Sequence, residues 1–131
     1  MPPHPVPQPV LDFVADHIRS LEEFQLLIAL IQSPDRWWDA DAAARELGIA
    51  RQDARRGLDA LAARNLLDIR ITGDLRYQFR PGTEELRAAA RATAEAYWAN
   101  PLAVVQLIAQ TGKRGIRDFA DAFRIRRDDD R

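Results

Sequence analysis

The sequence predicts one mainly helical domain carrying a single small β-hairpin. The chain has 131 residues, 47% hydrophobic and 30% charged, which suits a soluble domain of the usual size, roughly 100–150 residues. It holds 22 alanines against six glycines, a balance that favours helix. In one stretch, residues 67 to 79, the apolar period changes from 3.6 to 2, the mark of a hairpin.

The elements follow in order. Prolines stand at 2, 3, 5, 7 and 9, so residues 1–9 are expected to be an extended, disordered lead-in. Between 10 and 18, Val10, Phe13, Val14 and His17/Ile18 line one helical face. Ser20 opens a capping box with Glu23, in which the hydroxyl accepts from the first turn and the glutamate reaches back. Behind it Leu21, Phe24, Leu27, Ile28 and Ile31 make a wide apolar stripe, which Ser33-Pro34 stops. Trp37-Trp38 is extended at most. Asp39 or Asp41 can cap a helix from Ala40 to Leu47, and Gly48 ends it as a left-handed residue. The next helix, Arg51 to Arg64, turns Ala54, Leu58 and Leu61 inward, and Asn65 can stop it.

In the hairpin Leu67, Ile69 and Ile71 alternate with Asp68 and Arg70, and Leu75, Tyr77 and Phe79 with Arg76 and Gln78. Both apolar sets must face one core. That sets Ile71 opposite Leu75, Ile69 opposite Tyr77, Leu67 opposite Phe79, and Arg70 opposite Arg76 on the outer face. Thr83 caps a helix reaching about Ala99, and Asn100-Pro101 opens another that Gly112 closes. Its Leu102, Val104, Val105, Leu107 and Ile108 are apolar nearly all round, which predicts burial on several sides. A last helix from Ile116 presents Phe119, Ala120 and Phe123, and the tail 127–131 frays.

Composition narrows the function classes. The absence of cysteine excludes disulfides, thiolate metal sites and a thiol nucleophile. Two histidines and two serines are thin material for catalysis, and there is no glycine-rich phosphate loop. Neither an enzyme nor a cofactor is expected. His4 and His17 lack the carboxylate support of a metal site, and Asp128-Asp129-Asp130 reads as an acidic tail. Trp37, Trp38, Tyr97, Trp98, Phe119 and Phe123 read as core or dimer interface before ligand pocket. No run approaches the ~18 apolar residues of a membrane span. The N-terminus has neither the basic nor the apolar part of a signal peptide, so a cytoplasmic protein is expected. Eighteen arginines against one lysine suit a GC-rich bacterial genome, so arginine abundance alone argues nothing.

Placement argues more. Residues 41–80 carry eight Arg and six Asp/Glu, a net of +2, whereas residues 1–40 sum to −4. In Ala43-Ala44-Arg45-Glu46-Leu47-Gly48-Ile49 the small Ala44 lets a second helix approach, Gly48 makes the turn, and Ile49 plugs the angle. Helix, glycine turn, helix and hairpin together resemble the winged helix-turn-helix domain over roughly residues 20–80. Asp74-Leu75-Arg76 in the wing and the flanking helices are similar to MarR-type transcriptional regulators. The resemblance implies a dimeric, double-stranded-DNA-binding transcription regulator. Its winged helix with leading helix would span 10–82, and its C-terminal helical region, for dimerisation or partner docking, 83–126.

On the helix 51–64, Arg51, Gln52, Arg55 and Arg56 share the exposed side. Arginine can fork onto guanine O6/N7 and glutamine onto adenine N6/N7. Arg70 and Arg76 are candidates for phosphate or minor-groove contact, since two facing like charges make sense with a phosphate between them. Asp53 and Asp59 nearby oppose phosphate, although Asp53 also complements the helix N-terminus. The rival expectation keeps the fold as a protein-interaction adaptor that docks a partner through residues 101–126.

Overall fold

Short-range capping chemistry cuts the chain into its helices. In the computed structural model, which describes residues 6–110, α1 spans Gln8–His17, α2 Leu21–Gln32, α3 Ala40–Leu47, α4 Arg51–Ala63 and α5 Glu84–Ala99. Residues 101–110 are helical too. The expected closure at Gly112, the helix from Ile116 and the tail 127–131 lie outside the described residues.

Ser20 Oγ accepts the Glu23 N–H at 3.1 Å and Asp39 Oδ1 the Ala42 N–H at 2.7 Å. Thr83 Oγ1 accepts the Leu86 N–H at 3.1 Å and Asn100 Oδ1 the Ala103 N–H at 3.4 Å. Each satisfies a donor that the first helical turn leaves without an internal partner. Glu23 departs from the capping-box expectation. Its Oε1 accepts from the N–H of Arg19, one residue before the cap, at 2.9 Å, and the same carboxylate is shared with Arg64.

Two helices end by one device. Gly48 and Asn65 both hold φ of 68°. The next residue donates back five positions, Ile49 to Ala44 and Leu66 to Leu61, at 3.0 and 3.1 Å. Glycine and asparagine tolerate this left-handed conformation best.

The strands β1 (Leu67–Thr72) and β2 (Asp74–Phe79) pair antiparallel in the expected register. Leu67 faces Phe79, Ile69 faces Tyr77, Arg70 faces Arg76 and Ile71 faces Leu75. The Trp37-Trp38 segment is extended as expected and joins the sheet. Trp38 and Tyr77 exchange two backbone hydrogen bonds of 2.7 Å on the free side of β2.

Three expectations are corrected. The lead-in is ordered from Val6: that side chain is buried in the core, and α1 begins at Gln8 with a proline in its first turn. Proline's fixed φ suits that turn, and its missing N–H costs nothing there. The apolar face of the hairpin is covered only at its base. Leu67, Tyr77 and Phe79 are buried, but Ile69 is 43% and Ile71 75% exposed, because the hairpin projects past the helices that cover its base. Residues 101–110 are buried on one side only, through Val104 and Ile108, while Leu102 is 64% exposed.

One apolar core runs through all these elements. It joins Val10 and Phe13 of α1, Phe24 to Ile31 of α2, Leu58 and Leu61 of α4, Tyr77 and Phe79 of β2, and Ala90 and Ala94 of α5. The α1 and α5 helices pack against each other, so much of the apolar surface expected to serve a dimer is covered within the chain. Phe24 and Tyr97 meet edge to face at 5.1 Å between ring centroids.

Candidate nucleic-acid interface

The face of α4 turned away from the core carries the first group of expected contact residues. Ala54, Leu58 and Leu61 point into the core, which leaves Arg51, Gln52, Arg55 and Arg56 exposed. Gly48 sets the turn that presents this face, and the buried Ala43 and Ala44 let α3 pack closely beneath it.

Each arginine on this face has a carboxylate beside it. Arg51 Nε lies 2.7 Å from Asp41, Arg55 Nε 3.2 Å from Asp59, and Arg56 Nη1 3.8 Å from Asp53. Asp53 and Asp59, which argued against an anionic partner, are therefore partners of the arginines themselves. The i,i+3 and i,i+4 spacings could have signalled the two α4 pairs. No local spacing signals the Asp41–Arg51 pair, which bridges α3 and α4 across the turn.

Asp59 has a second role that no sequence signal indicated. The phenol of Tyr77, on β2, donates its hydrogen bond to Asp59 Oδ1, while Asp59 Oδ2 accepts from Arg55. This chain ties the hairpin to α4. Burial pushes the Tyr77 phenol up to about 12, and the Asp59 carboxylate that accepts its hydrogen bond adds to the rise. The folded protein thus favours the neutral phenol. Its stabilising share is fully present below the unfolded pKa of about 10 and is lost as pH rises towards 12. Tyr77→Phe is expected to cost about 1–2 kcal/mol at neutral pH and to remove most of the decline between pH 10 and 12. Urea unfolding at several pH values checks both. An alkaline limb as steep as the parent's would refute the assignment.

The wing arginines form a separate group. Side chains alternate along a strand, and Tyr77 points at α4, so Arg70 and Arg76 sit on the opposite face of the hairpin. Their like charges are adjacent, as expected. The Arg70 guanidinium lies 5.6 Å from the centre of the Trp37 ring, a cation–π contact that relieves part of the repulsion. Asp68 is taken by Arg80 at 3.6 Å, and Arg76 has no carboxylate partner among the described residues. The structure thus gathers Arg51, Gln52, Arg55 and Arg56 on one face and sets Arg70 and Arg76 on another.

A cleft of about 300 Å³ separates the hairpin tip from α4, bounded by Asp41, Arg51, Arg55, Gly73 and Leu75. A groove of about 390 Å³ lies elsewhere, between α2, the end of α3 and the end of α5, and Ile28, Leu47, Tyr97 and Trp98 line it. Among the described residues no cluster of three or more His, Asp or Glu could hold a metal ion. No helix among them is long and apolar enough to cross a membrane. No family model, curated protein or solved structure matches this chain.

Proposed function

We propose that the chain is a duplex-DNA-binding transcription regulator of the winged helix-turn-helix type, with α4 as the helix that enters the major groove. One observation carries the reading. A short helix, a left-handed glycine turn and a second helix lead directly into a hairpin tied back to that second helix. The second helix keeps Arg51, Gln52, Arg55 and Arg56 in solvent. Arginine and glutamine are the residue types that can fork onto base edges. On the far face of the hairpin, Arg76, with no carboxylate partner among the described residues, suits a phosphate.

Binding of labelled duplex of random sequence, followed by fluorescence anisotropy across a salt series, tests the reading. Weak binding that falls steeply with salt is expected. Arg76→Gln is expected to leave stability unchanged or slightly higher, since it removes a like-charge neighbour of Arg70. It should also lower the slope of log K against log salt by roughly 0.9, the value of one phosphate contact. An unchanged slope would take the wing out of the interface.

Dimeric assembly is a further part of the proposal. Its support is the apolar surface left open at the end of α5 and the start of the next helix, where Trp98 is 48% and Leu102 64% exposed. The same residues and the adjoining groove favour the rival reading, an adaptor that docks a protein partner near residues 101–126. An adaptor would bind no duplex even at low salt.

A further inference from the structure

A face built only to hold phosphate has no use for carboxylates, yet Asp41 and Asp59 stand against Arg51 and Arg55. In both pairs the closest approach is to Nε, the inner nitrogen of the guanidinium. A carboxylate in that position fixes the plane of the group and leaves the outer Nη1–Nη2 edge directed along the side chain. Both arginines are well exposed, and no second carboxylate among the described residues pairs with either.

An oriented, flat, two-donor edge matches the adjacent O6 and N7 acceptors that guanine presents in the major groove. A phosphate asks for less orientation and is repelled by the neighbouring carboxylate. Arg56 is held more loosely, at 3.8 Å from Asp53, and Arg76 has no carboxylate partner among the described residues.

We infer that Arg51 and Arg55 read guanines, that Asp41 and Asp59 are the positioning residues that aim them, and that Arg56 and Arg76 serve the phosphates. This rests on the DNA-binding reading above and specifies its ligand. One helical turn separates the two readers, a rise of about 6 Å. Against a base step of about 3.4 Å, that places the two guanines one or two steps apart.

The experiment compares two labelled duplexes of one sequence rich in GG and GNG steps. In the second, 7-deazaguanine replaces guanine, which removes the N7 acceptor and keeps base pairing. The parent protein is expected to bind the natural duplex at least tenfold more tightly. In Asp41→Ala the contrast should shrink to about threefold or less, while affinity for the deaza duplex rises because one repulsive charge is gone. A thermal melt matching the parent's shows that the variant is folded.

Equal binding of the two duplexes by the parent protein would overturn the guanine assignment and leave DNA binding standing. An Asp41→Ala variant that binds both duplexes more tightly by the same factor would make Asp41 a mere repulsive neighbour and overturn the positioning role. Binding of neither duplex at low salt would remove the DNA reading and this inference together.

Discussion

Replacing Arg64 by methionine is expected to lower the free energy of unfolding by about 3 kcal/mol, the order seen when one partner of a largely buried ion pair is removed. Arg64 sits just past the end of α4. Its Nη1 donates to the carbonyl of His17, the last residue of α1, at 2.8 Å, and to Glu23 Oε1 at 2.5 Å. The side chains of Arg64 and Glu23 are only 23% and 15% exposed, so solvent screens the pair weakly. One guanidinium thus satisfies an orphan helix-end carbonyl and neutralises the carboxylate at the start of α2. Methionine fills similar volume and offers neither donor nor charge. Glu23→Leu combined with Arg64→Met should lose less than the two single changes together, because the unpaired charge disappears with its partner. Chemical denaturation reads all three variants. An Arg64→Met midpoint equal to the parent's would show that the α1–α2 junction is held by apolar packing alone.

This pair also shows where reading the sequence stops. Ser20, Asp39, Gly48, Asn65, Thr83 and Asn100 act on atoms within about five residues of themselves, and five of the six positions were legible outright, the cap of α3 only as Asp39 or Asp41. The hairpin register was legible for a related reason. A period of two and an odd-length loop admit one pairing that keeps the apolar set together. Arg64 meets Glu23 across 41 residues, and nothing in either neighbourhood announces it. Tyr77 reaching Asp59 is of the same kind. Periodicity gave Tyr77 its face but not the length to which neighbouring helices cover it. That omission also hid the exposure of Ile71, while the run of prolines hid the burial of Val6. At the candidate interface the exposure of the four α4 residues was legible because it follows from helical period. Their carboxylate partners turn a plain basic face into an oriented one, and Asp41 became visible only once α3 and α4 were placed.

Gly57→Val is expected to cost about 3 kcal/mol, and to weaken duplex binding even though no contact residue changes. Gly57 lies on the buried side of α4 where that helix crosses α2. A Cβ built there would stand 2.4 Å from Leu26 Cδ1, far inside van der Waals contact, and Leu26 is itself fully buried. Glycine in a helix interior usually costs about 0.5–1 kcal/mol relative to alanine, so its presence at this crossing is explained by close approach rather than by helix formation. Valine adds two methyl groups beyond the Cβ. Overpacking of a dense core costs about 1–3 kcal/mol, and with Leu26 fully buried the strain is expected to push the backbone of α4 away from α2. That movement tilts the face bearing Arg51 and Arg55 and pulls Asp59 from Tyr77. The affinity loss should therefore exceed that of a distant core change of equal stability cost, such as Val10→Ala. Gly57→Ala with Leu26→Ala separates the causes, since the added methyl then enters space that the leucine vacates. The double variant should be more stable than the sum of the two single losses predicts. A Gly57→Val protein that melts with the parent would mean that Leu26 swings clear at no cost, and the close approach of the two helices would not then be what positions α4.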